Sequence, residues 1–124
     1  IAYGQDMLPA FWSATSDMSA PLRMDSAADI AKAQSTRTAM GLKGGQLVTN
    51  PIPQEAQIPA EVLAPIIDQA LAEAETKGIS AKAVTPFLLG RIFELTEGRS
   101  LTANIALVRN NARLAAQIAI AMRK

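Results

Sequence analysis

Gly44-Gly45-Gln46-Leu47-Val48-Thr49-Asn50-Pro51-Ile52-Pro53 is the stretch on which the fold turns. Gln46 to Thr49 is a compact strand signal. Pro51 and Pro53 forbid continuation of either a ladder or a helix, so the strand must end in a stiff, extended loop. On the N-terminal side, residues 26–40 have a helical pattern. Ser26 occupies an N-cap position with Asp29 three residues on. Ile30, Ala33 and Met40 fall roughly on one face, and Gly41 supplies the stop. The glycines at 41, 44 and 45 thus follow a helix and precede a strand. A phosphate loop needs the G-x-x-x-x-G-K-[ST] spacing and a helix after it, so these glycines read as a helix stop and a tight turn.

Further out, residues 1–24 read as strands and turns. Ile1 to Gly4 and Leu8 to Trp12 are apolar patches, Ser13 to Ala20 is loop-like, and Pro21 to Met24 is a short edge strand. Residues 61–77 form the clearest helix, with Val62, Leu63, Ile66, Ile67, Ala70, Leu71 and Ala74 as one wide apolar stripe and Gly78 as the stop. Pro65 fits only if that helix begins late enough to put it in the first turn. Thr85-Pro86 predicts a hydroxyl N-cap followed by Pro at the first helical position, with a helix from Phe87 to Thr96 and a stop at Gly98. Ser100 starts the last helix, which runs to about residue 122. Leu101, Ile105, Val108, Ala112, Ala115, Ala119 and Met122 form its predicted buried stripe. The architecture is α/β, with about four helices and a few short strands.

The composition bounds the chemistry. The chain has 124 residues, 49% of them hydrophobic and only 4% aromatic, and 24 are Ala. Its core is therefore built from small and aliphatic side chains. Cys and His are absent. Disulfides, Cys nucleophiles, thiolate or imidazole zinc sites and Ser-His-Asp triads are thereby excluded within this chain, and any metal needs oxygen ligands. Twelve basic against eleven acidic residues leave a net charge of +1, with no basic run that would mark a nucleic-acid partner. Leu101 to Met122 carries Asn104, Arg109, Asn110, Asn111 and Arg113, too polar for a membrane span. The chain opens at Ile1 without an initiator Met, which suits a trimmed product or part of something longer.

No complete catalytic constellation emerges. Lys32, Lys43, Lys77, Lys82 and Lys124 all read as solvated surface, whereas a Schiff-base lysine needs an apolar or cationic setting that depresses its pKa. Glu73 and Glu75 are two apart on a helix and point to different faces. Asp25 and Asp29 complement a helix dipole. Asn50 is more suggestive, because ligands of open α/β sheets bind beyond the carboxyl ends of strands and an amide offers both a donor and an acceptor. A turn-capping role explains it equally. Asn104 and Asn111 lie seven residues apart on one helix face. Asn is a poor helix-interior residue, so each needs a polar partner, either a loop group or a ligand.

Several strings carry more than pattern. In order they are Leu8-Pro9-Ala10-Phe11, Arg23-Met24-Asp25-Ser26, Gly44-Gly45 through Asn50-Pro51-Ile52-Pro53, and Thr85-Pro86-Phe87-Leu88-Leu89. Glu94-Leu95-Thr96-Glu97-Gly98-Arg99-Ser100-Leu101 and Asn104-Ile105-Ala106-Leu107-Val108-Arg109-Asn110-Asn111-Ala112 follow. Over essentially its whole length the chain resembles the C-terminal part of the pseudouridine-5′-phosphate glycosidases, also called the indigoidine synthase A family.

The resemblance implies an enzyme that reversibly cleaves the C-glycosidic bond of pseudouridine 5′-phosphate to uracil and ribose 5-phosphate. It implies a lysine Schiff base, a proton-moving glutamate and a divalent cation, commonly manganese. These elements lie N-terminal to the region that this chain matches, and no lysine here matches the nucleophile. Residues 1–124 are then expected to be the C-terminal segment of a single glycosidase domain, inactive alone, with no catalytic or metal residues of their own. The expected partners are the small-molecule substrate, the N-terminal part of the enzyme and further copies in a cytoplasmic homotrimer, with no nucleic acid and no membrane. One family position carries over: the substrate-contacting Asn of the Ser-Leu-x-x-Asn-Ile string matches Asn104. Asn50 is a second candidate for lining the site, and Asn111 reads as structural. Two other readings remain open: a C-glycoside-forming relative with another aglycone, and a non-catalytic scaffold or oligomerisation fragment.

Overall fold

The computed structural model describes residues 1–123. Its elements are β1 (Ala2–Tyr3), β2 (Arg23–Met24), α1 (Ala27–Ala39), a 3-10 turn (Gln54–Ala56), α2 (Ala60–Thr76), a second 3-10 turn (Ala81–Ala83), α3 (Val84–Leu95) and α4 (Arg99–Met122). The α/β class and the four helices are as the sequence predicts.

β1 and β2 pair in parallel, with Ala2 opposite Arg23 and Tyr3 opposite Met24. On the other side of β1, Thr49 forms a parallel bridge to Ala2. The Tyr3 N–H donates to the Thr49 carbonyl at 2.9 Å, and the Thr49 N–H donates to the Ile1 carbonyl at 2.8 Å. The expected strand over Gln46–Thr49 is thus reduced to this one bridge. Asn50 stands just past the carboxyl end of this bridge.

α1 starts as read. Ser26 has extended backbone, and its hydroxyl oxygen accepts from the Asp29 N–H at 3.1 Å. Gly41 follows with φ of +70°, a left-handed conformation that glycine adopts without steric cost. Met40 belongs to the last, exposed turn and does not join Ile30 in the core.

α2 begins five residues before Pro65, so this proline is interior and not in the first turn. Its missing N–H leaves the Glu61 carbonyl without an intrahelical partner. Pro65 and Glu61 both lie on the exposed side of the helix, where water can serve that carbonyl and the cost is reduced. Leu63, Ala70 and Ala74 are buried, whereas Val62 and Leu71, at the edges of the predicted stripe, are exposed. α3 begins at Val84, with Ala83 as its N-cap residue. Thr85 is therefore not the cap, and Pro86 sits in the first turn, where N–H groups have no helical partner in any case.

The core joins Ile52 and Ile58 from the proline-rich loop to Leu63 and Ala70 of α2, Ile92 of α3 and Ala103 of α4. α2 packs on α3, and α4 packs mainly on α1. The largest departure from the sequence reading is in α4. The predicted stripe faces outward, with Leu101, Ile105, Val108 and Met122 exposed and Ala112, Ala115 and Ala119 exposed as well. Ser100, Ala103 and Leu114 are buried in its place, with Leu107, Asn110, Ile118 and Ala121 half-buried along the same face. Both sets repeat at helical spacing, so periodicity alone does not say which one docks.

The turn between α3 and α4 is narrow. Gly98 has φ of +83°, a conformation that costs an L-residue about 1–2 kcal/mol. Gly98→Ala should therefore lower the unfolding free energy by about that amount. Gly90, inside α3, has open space where a Cβ would sit, so Gly90→Ala should raise stability by about 0.5–1 kcal/mol. Urea midpoints of the two variants should move in opposite directions. A shared direction would contradict this reading of the turn.

Candidate functional site

The loop after Thr49 is sewn to α4 by amides. The Asn110 Nδ2 donates to the Pro51 carbonyl at 3.0 Å, and the Asn50 Nδ2 donates to the Asn111 Oδ1 at 3.2 Å. Proline supplies no N–H and cannot enter a ladder. The Pro51 carbonyl precedes buried Ile52 and takes a side-chain donor in place of a strand partner. Asn110 reaches it because it shares the core-facing side of α4 with Ala103 and Leu114.

The N-terminal end of α4 is held separately. The Trp12 Nε1 donates to the Ser100 carbonyl at 3.1 Å, while the Ile58 N–H donates to the Trp12 carbonyl at 2.8 Å. The buried Ser13 hydroxyl donates to the Ile58 carbonyl at 2.6 Å. Ser100 is in turn fixed by its N–H donating to the Thr96 Oγ1 at 3.1 Å. Asn104 stands one turn beyond Ser100. It lines a cleft of about 170 Å³ with Phe11, Trp12, Leu89, Phe93, Ser100 and Leu101.

Asn104 and Asn111 lie about 10 Å apart along one flank of α4. This flank separates the core-facing side from the outward apolar strip. Asn50 and Asn111 are brought together by the bond already described, and Asn104 takes no part in it. The Asn50–Asn111 bond uses one function of each amide, leaving the Asn50 Oδ1 as an acceptor and the Asn111 Nδ2 as a donor. The flank therefore offers neutral donors and acceptors, suited to the edge of a heterocycle or to sugar hydroxyls. It offers no cation for a phosphate. Sequence reading did not single out Asn110 or Trp12. The signal for Asn110 was its place in the series 103, 107, 110, 114, the half of the helix that docks.

Lys32, Lys43, Lys77 and Lys82 are exposed as expected, Lys77 lying 5.2 Å from the Phe87 ring centroid. Lys124 lies outside the described residues. No three Asp or Glu side chains converge to hold a cation among the described residues, so these residues offer no fit for a metal. The charged cleft of about 500 Å³ between α2 and α3 is a strut. There Arg91 donates to Glu73 from Nε at 2.6 Å and from Nη2 at 3.0 Å, and to Glu94 from Nη1 at 2.7 Å. A larger apolar groove, about 610 Å³, opens beside Leu22, Met24 and Leu47. Arg37 and Gln46 are among its lining residues, and the Arg37 Nε and Gln46 Oε1 are buried without a hydrogen-bond partner.

Together these features make a polar amide flank at a strand end of an α/β fold. The chain belongs to the family of indigoidine synthase A like proteins, whose family model matches residues 1–121. Among its relatives, the pseudouridine-5′-phosphate glycosidase of Paracoccus denitrificans is 67% identical over 122 residues, covering 98% of this chain and 40% of that protein. Two solved structures share the fold with a TM-score of 0.84. One is an indigoidine synthase A-like protein of Thermotoga maritima, 31% identical, with 99% of this chain and 40% of that one covered. The other is a prealnumycin C-glycosynthase in complex with ribulose 5-phosphate, 26% identical, with 98% and 40% covered. The chain thus spans about two fifths of the length of the relatives it matches.

The hydrogen bonds from Arg91 and Gln69 hold the Glu73 carboxyl below its ordinary value of 4.5. A carboxylate with a lowered folded-state pKa stabilises the fold above its unfolded value, and that contribution fades as pH falls through the lowered one. The stability gap between the native chain and Glu73→Gln should therefore narrow below about pH 4.5. Urea titrations at pH 7 and at successively lower pH check this. A gap that does not change with pH would contradict it.

Proposed function

We propose that this chain forms the C-terminal part of a pseudouridine-5′-phosphate glycosidase, which reversibly cleaves the C-glycosidic bond to give uracil and ribose 5-phosphate. The observation that carries the reading is the 67% identity to the Paracoccus denitrificans glycosidase across nearly the whole chain. The neutral amide flank of α4 supports it in kind. In this reading Asn104 contacts the substrate from a position set by the Trp12–Ser100 bond, and Asn50 lines the site past the strand end. The lysine that forms the Schiff base, the glutamate that moves the proton and the residues that hold a manganese or similar cation belong to the part of the enzyme outside this chain. The complete enzyme is a cytoplasmic homotrimer in this proposal, and the chain alone is inactive. The C-glycosynthase likeness keeps C–C bond formation with another aglycone as a second reading. Its 26% identity supports it less than the glycosidase relatives support the first.

The test is a fusion of this chain to the N-terminal part of the Paracoccus denitrificans relative, replacing the segment it matches. The fusion should release uracil from pseudouridine 5′-phosphate, and the 124-residue chain alone should not. Asn104→Ala in the fusion should reduce kcat/KM by about three- to tenfold, the loss of one neutral hydrogen bond worth about 0.5–1.5 kcal/mol. Asn50→Ala should cost less. Unchanged kinetics for Asn104→Ala would remove Asn104 from the site, and a fusion without uracil release would overturn the functional reading.

A further inference from the structure

α4 has two apolar faces and only one of them is occupied. Leu101, Ile105, Val108, Ala112, Ala115, Ala119 and Met122 make a continuous outward strip about 32 Å long. Val108 is 58% exposed and Leu101, Ile105 and Met122 close to half. Contiguous exposed apolar surface of this extent marks an interaction site, whereas single exposed apolar residues do not.

Two further features narrow the occupant. Helix α4 carries Arg99, Arg109 and Arg113 and no carboxylate. Arg109 and Arg113 border the strip on the side away from Asn104, and neither takes part in an ion pair among the described residues. Two copies of α4 meeting strip to strip would oppose arginine to arginine when antiparallel, which is unfavourable at an interface, and in either direction α4 brings no carboxylate to pair with them. In addition, more than half of each relative's length has no counterpart in this chain.

We propose that the outward strip of α4 is the docking surface for the remainder of the same enzyme, a segment that lays an apolar ridge along Leu101–Met122 with carboxylates opposite Arg109 and Arg113. Asn104 and Asn111 border the strip on its other side, so the segment that covers the strip also walls in the amide flank. The substrate site then lies along the seam between the two parts. This inference rests on the functional reading above for the identity of the occupant.

Thiol labelling in the fusion protein tests it, because this chain contributes no cysteine of its own. Val108→Cys is compared with Glu75→Cys on the exposed face of α2, and Ala115→Cys provides a second strip position of smaller perturbation. The extent of maleimide modification is read peptide by peptide by mass spectrometry. Both strip cysteines should react at least tenfold more slowly than the α2 reference, at a rate independent of protein concentration. Strip cysteines as reactive as the reference would overturn the proposal. Protection that is lost on dilution would assign the strip to a second copy and overturn it equally. A fusion that releases uracil while Val108→Cys stays fully reactive sinks the docking alone. A protected but inactive fusion sinks the functional reading alone.

Discussion

The hydrogen bond from the Asn110 amide to the Pro51 carbonyl is the constraint from which the arrangement follows. Two prolines within three residues take the chain out of the sheet and leave carbonyls with no ladder to join. A buried carbonyl without a donor costs on the order of 1–3 kcal/mol, and Ile52, next in sequence, is 2% exposed. Asn110 supplies the donor, and in doing so it fixes how α4 is turned about its own axis. With Asn110, Ala103 and Leu114 turned inward, Asn104 and Asn111 fall on a flank and Val108 faces out. The Trp12–Ser100 bond holds the other end of the same helix in the same phase.

Much of this was legible in the sequence. The Ser26 cap, a helix read over residues 61–77 and found at 60–76, the glycine stops and the loop after Thr49 all follow from local chemistry, and the structure shows each of them. The errors share a cause. Local signals do not report what an element packs against. Thr85-Pro86 looks like a cap and first turn, but a 3-10 turn leads the chain into α3 two residues earlier. Pro65 looks confined to a first turn, but its orphaned carbonyl is on the wet side of α2, where the cost is small. In α4 the more apolar of two equivalent helical series was expected inside. The series with Ser100 and Asn110 docks instead, because the Asn110 amide has a partner in the loop and the Ser100 backbone carbonyl has one in the aromatic turn. The series without polar groups is the one left facing out.

The site was legible in part for the same reason. Asn111 was marked as a residue in need of a partner and Asn50 as a turn cap or a site-lining amide, and the structure gives them to one another while leaving half of each amide unspent. Asn104 was marked on the same grounds, and it sits in the aromatic cleft beside Trp12. What the residues could not supply is the other half of the chemistry. The four lysines of the described residues are in solvent, and the acidic side chains near Arg91 neutralise a strut. The proposal that joins these facts is a shared site, with neutral recognition contributed here and the reacting groups contributed across the proposed seam beside the outward strip.

The most direct test of that account is a crystal structure of the fusion protein with ribose 5-phosphate and uracil bound. The account predicts the ligand at the seam, with the Asn104 amide within about 3.2 Å of a uracil or ribose heteroatom, the Asn110–Pro51 bond kept and the α4 strip covered by the N-terminal part. A ligand bound away from α4, with Asn104 facing solvent, would contradict it.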